Sequence, residues 1–546
     1  MNPSVGLSTI DVTIVIGWII MMMIIGIVVS YKSKRDTAQD YFLASKSIPW
    51  WVVGGSLIAS NISAEQFIGM SGSGYAVGFA IAAYELMAAI TLIVVAKFLL
   101  PIYIDKGIYT MPQFLEQRFN KGVKTGLAIF WVALYLFVNI SSVLYLGALA
   151  LENIIGIPLV WAIIGLGIYA ATFSITGGLK AVVWTDVIQV TALLFGGFVA
   201  TYMVLDAVGG GVFSGIQTLI EKAPQKFDMI LEKSNPEYMN LPGISVLIGG
   251  MWIANLYYWG NNQYIIQRAL ASKSIDEAQK GAALAAIIKI ILPIIIVLPG
   301  IAAFVLGAEF IVDGKPKSDL AYPWVINNYV GVGFKGISLA ALIAAIGSSV
   351  AAMVNSASTI FTLDIYRPIF MKSDVQRDQP LDAHVHDSQQ LTVKEEHHVV
   401  KVGKISALIA LLTGMIIAPN LGTLDQAFQF IQEFTGFISP GVVAIFLLGM
   451  FWKKTSARAA MVAVIMAIPL SALFKYFASG IPFLDRMGLC FLIIIATMII
   501  ISYLDNKNDD KKAIYFNHNL FVTSRTFNIM ALFVILAVAA IYLKFW

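Results

Sequence analysis

The stretch "ASNISAEQFIGMSGSG", Ala59 to Gly74, decides the fold class that the sequence predicts. It lies between the apolar stretches "WWVVGGSLI" and "AVGFAIAAY", but it is rich in amide, hydroxyl and glycine residues and contains a glutamate. Backbone in the hydrocarbon layer must satisfy its hydrogen bonds within the protein, so non-helical backbone survives there only next to protein or water. The stretch therefore predicts a broken transmembrane helix whose polar side chains face a cavity.

The composition of the whole chain supports a membrane protein. Of the 546 residues, 58% are hydrophobic and 12% are charged, whereas charged residues make up about 25% of an average soluble domain. Apolar runs of about 20 residues, long enough to cross a bilayer, recur from end to end. The net charge of +4 is explained by basic loops on one side of a membrane and does not indicate a nucleic-acid partner. We predict an all-α polytopic membrane protein, in which the single cysteine, Cys490, excludes an intrachain disulfide.

We predict one transmembrane domain over residues 1–546, with about fourteen spans. Most lysines and arginines fall in loops that follow odd-numbered spans. The positive-inside rule makes these loops cytoplasmic and places both termini outside the inner membrane. The first apolar run lacks the basic region and cleavage site of a signal peptide, so we interpret it as a span. The predicted spans are 10–30, 50–74, 79–104, 125–150, 156–177, 183–208, 243–264, 280–308, 334–362, 402–419, 426–452, 457–478, 485–504 and 526–545.

A second polar interruption, "ANLYYWGNNQYIIQR", falls in the seventh span, five spans after the first. Transporters with inverted repeats carry such breaks at corresponding points of their two halves. We therefore predict a 5+5 inverted repeat over 50–208 and 243–452. Helix 10–30 and three C-terminal helices over 457–546 are predicted to be peripheral. For the glycines of the first interruption alone, close packing between helices is an equal explanation.

Two loops between the predicted spans are long. The outer loop, 209–242, contains an amphipathic piece, "FSGIQTLIEKA", which predicts a short external helix. The inner loop, 371–401, is polar and predicts a loosely ordered cytoplasmic segment. Its histidines form two close pairs that could ligate a metal, but nothing nearby completes a site, so a solvated linker explains them better. These histidines are His384, His386, His397 and His398.

Charged and amide side chains occur in the middle of several other predicted spans. Glu85 lies in the third span and Lys289 in the eighth, and intramembrane charges cost several kcal/mol, which makes them functional candidates. A purely structural ion pair is the alternative. Gln432 adds an amide, and Asn255 and Tyr258 lie in the second interruption. Amides, one carboxylate, one ammonium and aromatic rings together suit a neutral polyhydroxyl ligand such as a sugar.

Ser348 and Ser349 are adjacent hydroxyls on the otherwise apolar ninth span. Such hydroxyls usually bond back to the backbone of their own helix. If they face the break in the second span, they can instead join free carbonyls in an oxygen cage. Hard cations bind oxygen ligands, and neutral oxygens suit a monovalent ion such as sodium.

Five stretches together resemble the sodium/galactose symporters of the solute:sodium symporter family, in the same order and over nearly the whole chain. The resemblance implies a LeuT-like fold with alternating access, import of galactose or a glucose-like hexose, and sodium as the coupling ion, with no other cofactor. The stretches are "NISAEQFIGMSGSGY", "AVVWTDVIQV", "ANLYYWGNNQYIIQR", "SSVAAMVNSASTIFTLDIY" and "AFQFIQEFTGFISPG".

The resemblance also implies a role for individual residues. Sugar contacts would be Gln66, Glu85, Asn255, Lys289 and Gln432, with Asn61 nearby and Tyr258 stacking on the sugar as the inner gate. Met70, Tyr84 and Phe428 would close the outer side. Sodium ligands would be the carbonyls of Ala59, Ile62 and Ala345 and the hydroxyls of Ser348 and Ser349. Asp186 would lie on the sodium exit path, and Tyr264 and Arg268 would be polar residues of the inner side.

The chain departs from the family pattern at two places. Ala88 stands where the galactose symporters have a serine near the sugar, so one hydroxyl contact is missing. Ala351 and Ala352 stand where members with a second sodium site have a serine pair, so we expect one sodium per sugar.

Other readings of the sequence stay open. The solute could be an inositol, sialic acid or proline, and Lys289 could meet the carboxylate of an acidic sugar. A membrane sugar sensor would need a soluble signalling domain, and none is evident. The sequence shows no nucleotide-binding loop, metal cluster or paired catalytic carboxylates, so we do not expect an enzyme.

Overall fold

The computed structural model describes residues 7–32, 41–42, 44–312, 314–371, 393–421, 427–505 and 509–546. In these ranges the chain is mostly helical, and ten helices are long and apolar enough to cross a membrane. The prediction of an all-α polytopic membrane protein is therefore confirmed. Leu159–Thr172 and Ser439–Phe451 are apolar but shorter, and the total of fourteen spans stays a prediction.

The first half of the described chain contains ten α-helices, several of them joined end to end by π-helical turns. The α-helices are α1 (Thr9–Lys32), α2 (Trp50–Asn61), α3 (Ser71–Ala76), α4 (Ala83–Val94), α5 (Leu100–Asp105), α6 (Met111–Arg118), α7 (Lys121–Leu134), α8 (Ile140–Ile155), α9 (Leu159–Gly209) and α10 (Val212–Lys222). The π-helical turns are Glu65–Met70, Val95–Leu99 and Tyr135–Asn139.

The second half has the same character and adds one short hairpin. Its α-helices are α11 (Ser245–Ile248), α12 (Gly250–Leu256), α13 (Gln263–Leu270), α14 (Ile275–Ile296), α15 (Leu298–Val305), α16 (Ala321–Tyr329), α17 (Phe334–Ile360), α18 (Arg367–Phe370), α19 (Val393–Ile417), α20 (Ala427–Thr435), α21 (Ser439–Phe451), α22 (Ala457–Phe477), α23 (Phe483–Asp505) and α24 (Arg525–Lys544). The π-helical turns are Tyr257–Asn261 and Phe361–Tyr366. The antiparallel strands are β1 (Ile311–Val312) and β2 (Lys315–Pro316), with Ile311 opposite Pro316.

The opening stretch of the sequence forms the predicted break. Helix α2 ends at Asn61, and Ile62 has extended backbone, with φ −76° and ψ 108°. The Gln66 side chain stabilises the break, because its Oε1 accepts hydrogen bonds from the Ser63 amide at 2.9 Å and the Ser63 hydroxyl at 3.1 Å. The last carbonyl groups of a helix have no donor within that helix. The break therefore leaves carbonyl oxygens of the last turn of α2 available to other partners.

The second predicted break lies at the junction of α12 and α13. After the π-helical turn Tyr257–Asn261, Asn262 has extended backbone, with φ −93° and ψ 121°. The Tyr103 hydroxyl donates to Asn261 Oδ1 at 2.9 Å, and the Tyr135 hydroxyl donates to Asn262 Oδ1 at 2.5 Å. Side chains from the first half thus hold the break of the second half in place.

The predicted fifth and sixth spans form one helical stretch, α9, that bends at Gly178. This residue has φ +60° and ψ −164°, in a region that favours glycine. A Cβ atom added there would lie 2.5 Å from the Tyr41 carbonyl oxygen and 2.8 Å from its ring. The bend between the two spans therefore depends on glycine for conformation and for space.

The structure agrees with the prediction for one of the two long loops and corrects the bounds of the other. The external helix expected in loop 209–242 is α10. The cytoplasmic loop predicted over 371–401 is too long at its C-terminal end, because α19 begins at Val393. His397 and His398 therefore lie on a helix, with both side chains exposed. His384 and His386 lie outside the described residues.

Burial differs strongly between the spans. In its most apolar stretch, Phe334–Phe370 has 94% of its residues buried, whereas Thr9–Val29 has 17%. The three C-terminal spans, Ala457–Phe477, Phe483–Asp505 and Arg525–Lys544, each have 28%. The span that contains Ser348 and Ser349 is thus enclosed by protein, and the first and last spans are exposed over most of their surface.

A buried carboxylate connects the exposed first span to the enclosed ninth. Asp11 Oδ1 on α1 accepts hydrogen bonds from the backbone amides of Gly333 at 2.8 Å and Gly336 at 2.7 Å. These amides begin α17, where the first helical N–H groups have no partner within the helix. Asp11 therefore caps, from another helix, the helix that contains the serine pair.

We expect Asp11→Ala to lower the stability of the folded protein by about 1–3 kcal/mol, because it removes a cap and leaves buried amides without an acceptor. The midpoint of thermal unfolding in detergent measures the change. Thr13→Ala on the same helix is the control, since its exposed hydroxyl bonds only to Thr9 of its own helix. Equal midpoints for Asp11→Ala and the parent would contradict this role for Asp11.

Candidate functional site

The serine pair of α17 meets the break at the end of α2. Ser349 Oγ lies 3.4 Å from the carbonyl oxygen of Ala59, 3.2 Å from that of Ser60 and 3.3 Å from that of Ile62. Ser348 Oγ lies 3.1 Å from the Ala59 carbonyl oxygen. The hydroxyls therefore reach across to α2 instead of bonding back to their own helix. Ala345, the remaining predicted sodium ligand, is buried one turn earlier on α17.

This cluster has more oxygen acceptors than protons to share among them. A serine hydroxyl has one proton, yet Ser349 Oγ is close to three carbonyl oxygens. Hard cations bind such all-oxygen surroundings. The arrangement is chemically suited to a small cation held between α2 and α17.

Asp186 on α9 lies directly beside this cluster. Its carboxylate accepts hydrogen bonds from the hydroxyls of Ser348 at 2.6 Å and Ser56 at 2.5 Å, and Ser60 Oγ lies 3.5 Å away. Arg268 Nη2 is 3.8 Å from the same carboxylate, and both side chains are fully buried. Asp186 therefore contacts a predicted sodium ligand and also Arg268, which is predicted to lie on the inner side.

Glu85 and Lys289, the two charged residues predicted in mid-span, form an ion pair between α4 and α14. Both side chains are almost fully buried. The Lys289 ammonium also lies 5.2 Å from the centre of the Trp259 ring, a cation–π contact. The pair faces the second break, since Trp259 belongs to its π-helical turn.

The side chains of the predicted inner gate are connected by hydrogen bonds. Asn61 Nδ2 donates to the Tyr258 hydroxyl oxygen at 2.9 Å, and the Tyr264 hydroxyl donates to the same oxygen at 2.5 Å. The Tyr264 carbonyl oxygen in turn accepts from the Arg268 guanidinium. Both helix breaks, through Asn61 and Tyr258, are thereby joined on the side predicted to be cytoplasmic.

The predicted outer gate is also closed by direct contact. The rings of Tyr84 and Phe428 meet edge to face, with centroids 5.1 Å apart and an angle of 87°. The Tyr84 hydroxyl lies 3.4 Å from Gln429 Oε1. Met70 is fully buried beside them in the π-helical turn Glu65–Met70. The gates predicted on the two sides are therefore shut at the same time.

Among the described residues, the side chains of the remaining predicted sugar contacts form no hydrogen bond to another span. Gln66 accepts from Ser63 as described, and Asn255 Nδ2 donates to the Met251 carbonyl oxygen of its own helix at 3.0 Å. Gln432 lies on α20 and is partly exposed, and no hydrogen bond joins its amide to another described residue. Ala88 is buried on α4, one turn after Glu85.

The sequence did not identify several residues that the structure brings to these clusters. Ser56 and Ser60 surround Asp186, and Trp259 contacts Lys289. Glu65, the glutamate of the opening stretch, was assigned no role, and its carboxylate oxygen Oε1 is buried without a hydrogen-bond partner among the described residues. Ser56 and Ser60 are four residues apart on α2, and this spacing on a helix next to the break was the available signal.

Comparison with known proteins agrees with this geometry. Residues 41–467 match the Sodium:solute symporter family. The chain is 49% identical to the sodium/glucose cotransporter of Vibrio parahaemolyticus, over 100% of both chains. It is 30% identical to sodium/myo-inositol cotransporter 2 of Mus musculus, over 85% of this chain and 70% of that protein.

Solved structures share the fold. A Na⁺-coupled sialic acid symporter in its outward-open state superposes with a TM-score of 0.78, at 23% identity over 92% of this chain and 99% of the other. This likeness confirms the LeuT-like fold that the resemblance implied. With a family match over most of its length and an all-oxygen cluster at the break of α2, the chain is a transporter rather than an enzyme, and it belongs to the sodium:solute symporter family.

Proposed function

We propose that the protein is a sodium-coupled symporter that imports a neutral hexose, galactose or glucose, by alternating access. The observation that carries this proposal is the cluster in which Ser349 Oγ faces the carbonyl oxygens of Ala59, Ser60 and Ile62. A sodium ion held there would bind α2 to α17. The 49% identical Vibrio parahaemolyticus protein, which is named a sodium/glucose cotransporter, supports sugar as the solute.

In this mechanism sodium binds first from outside and fixes the break of α2 against α17, which preforms the sugar site. Sugar binding then closes Tyr84 against Phe428. Sodium leaves past Asp186, the bonds between Asn61, Tyr258 and Tyr264 loosen, and the sugar follows. Coupling of this kind is reciprocal, so each ligand tightens binding of the other by the same factor.

The charged residues near the second break favour a neutral polyol over an acidic solute. Lys289 is already paired with Glu85, so a substrate carboxylate would have to compete with a buried partner. Sugar hydroxyls can both donate to Glu85 and accept from Lys289 without separating the pair. The amides of Gln66, Asn255 and Gln432 would supply the further contacts.

A neutral cyclitol is the second candidate solute, because a 30% identical relative is named a sodium/myo-inositol cotransporter. Its ring of hydroxyls presents the same donors and acceptors as a hexose. We place the protein in the inner membrane, with both termini outside, because most of its basic residues fall in the loops predicted to be cytoplasmic.

Uptake into proteoliposomes tests this proposal. We expect labelled galactose or glucose to accumulate under an inward sodium gradient, but not under a potassium gradient, and excess unlabelled myo-inositol to compete weakly. One sodium should enter per sugar, because Ala351 and Ala352 offer no side-chain oxygen for a second sodium site next to Ser348 and Ser349. A coupling ratio near two would contradict the single site, and sodium-driven uptake of myo-inositol alone would move the proposal to a cyclitol.

A further inference from the structure

A triad of charges joins the outer-gate helix to two exposed helices. Glu433 on α20 forms ion pairs with Arg486 of α23, through Oε1 at 2.8 Å, and with Lys475 of α22, through Oε2 at 3.1 Å. The Lys475 ammonium also lies 4.7 Å from the centre of the Phe434 ring and 5.7 Å from that of Phe437. The triad is defined by Glu433, Lys475 and Arg486.

One member of the triad, Glu433, lies on the same short helix as the outer gate. Helix α20 begins at Ala427 and ends at Thr435, and it contains Phe428 and Gln429, which contact Tyr84. Glu433 is four residues after Gln429, one turn along the helix. A movement that takes Phe428 away from Tyr84 must therefore also move Glu433 relative to its partners or carry them with it.

The triad borders a small cavity whose wall includes Cys490, the only cysteine of the chain. The cavity has a volume of about 20 Å³, room for about one water molecule, and lies between α20, α22 and α23. Its wall includes Phe437, Ser471, Phe483 and Cys490 as well as the triad. Cys490 is 1% exposed, and its sulfur lies 3.8 Å from the Ser471 hydroxyl. The triad thus lies beside a buried thiol that no other part of the proposed mechanism uses.

We propose that the triad is a latch that holds α20 in the closed position and makes α22 and α23 part of the outer gate. This inference rests on the proposed symport function only for the ligands used in its tests, sodium and sugar. The contacts that form the latch do not depend on that function. In water two exposed ion pairs contribute little, but Glu433 and Arg486 are mostly buried, and charge-assisted hydrogen bonds are about twice as strong as neutral ones. Glu433 is a positioning residue for the gate, since it acts through α20 and contacts no ligand itself.

The latch predicts opposite changes in the two half-saturation constants of Glu433→Gln. Loss of the carboxylate charge destabilises the closed gate, so the outward-open state, which binds sodium first, becomes more populated. The apparent affinity for a ligand scales with the population of the state that binds it. We expect the half-saturation concentration for sodium to fall about threefold, because sodium binds the outward-open state. We expect that for sugar to rise about threefold, because sugar binding closes the gate and the closed state is now less stable. A merely structural defect would lower the transport rate without changing the two half-saturation concentrations in opposite directions.

The alkylation rate of Cys490 by N-ethylmaleimide in detergent measures the latch without any ligand. We expect Glu433→Gln to react at least about fivefold faster than the parent. Arg458→Gln is the matched control, because Arg458 pairs with Asp505 between the same two helices at their other end, and it should react at the parental rate. Lys475→Gln, at a side chain that is 39% exposed, serves as a second variant if Glu433→Gln does not fold.

The outcomes separate the latch from the function on which it rests. Equal rates of Cys490 alkylation in the parent, Glu433→Gln and Lys475→Gln overturn the latch, even if sodium-driven sugar uptake is normal. Faster alkylation in both variants, with no uptake of sugar by the folded parent, supports the latch and removes the proposed solute. Faster alkylation of Arg458→Gln as well would show that any loosening of α22 and α23 exposes the thiol, and it would also overturn the latch.

Discussion

Ser349→Ala is expected to lower sodium-dependent sugar uptake strongly at sodium concentrations that just saturate the parent. The substitution removes the one oxygen that lies within 3.4 Å of the carbonyl groups of Ala59, Ser60 and Ile62. Loss of a buried polar partner costs about 1–3 kcal/mol, which corresponds to a roughly five- to 150-fold weaker sodium affinity. The sodium dependence of initial uptake rates, extended to high sodium, measures the change.

Ser338→Ala is the control for this experiment. Ser338 is also a buried serine of α17, but its hydroxyl contacts the Gly196 carbonyl oxygen, far along the helix from the cage. We expect its sodium dependence to match that of the parent. If Ser349→Ala keeps the parental half-saturation for sodium, the cation does not bind at this cluster.

The second large effect is expected at the buried ion pair of Glu85 and Lys289. Either Glu85→Gln or Lys289→Gln alone leaves one charge in the protein interior without its partner. Breaking a buried pair in this way costs about 3–5 kcal/mol. We expect each single variant to lower the thermal unfolding midpoint in detergent strongly and to stop sugar uptake.

The double variant Glu85→Gln/Lys289→Gln distinguishes a structural from a functional pair. Replacing both charges removes the unpaired-charge penalty, so most of the stability should return. Sugar uptake should stay absent if the carboxylate and the ammonium bind sugar hydroxyls. A double variant that recovers both stability and uptake would show that the pair only holds α4 against α14.

The two effects test different halves of the same cycle. An inward-negative potential contributes about 2.3 kcal/mol per 100 mV for one charge that crosses fully, which corresponds to a roughly fifty-fold accumulation of a neutral sugar. That driving force acts only if sodium and sugar are released in the same cycle. Ser349→Ala removes the ion from this coupling, whereas the Glu85 and Lys289 variants remove the solute.

The sequence by itself determined the membrane class and the positions of both helix breaks. These features are local, because the energetic cost of polar backbone in hydrocarbon depends on what each short segment contains. The same reasoning singled out Glu85, Lys289 and the pair Ser348 and Ser349 before any contact was known. It misjudged the start of α19, because the first turns of this helix are polar and charged, although Thr392 and Glu395 have the spacing of a capping box.

Only the tertiary structure decided which of these groups meet. Ser349 and the carbonyl oxygen of Ala59 are 290 residues apart in the chain, and a hydroxyl that reaches another helix has the same local sequence as one that bonds to its own. The structure also placed Asp186 against Ser348, and it joined Glu433 to two helices that the sequence marked only as peripheral. Such contacts depend on how helices pack against one another, and neither hydropathy nor spacing along the chain specifies that packing.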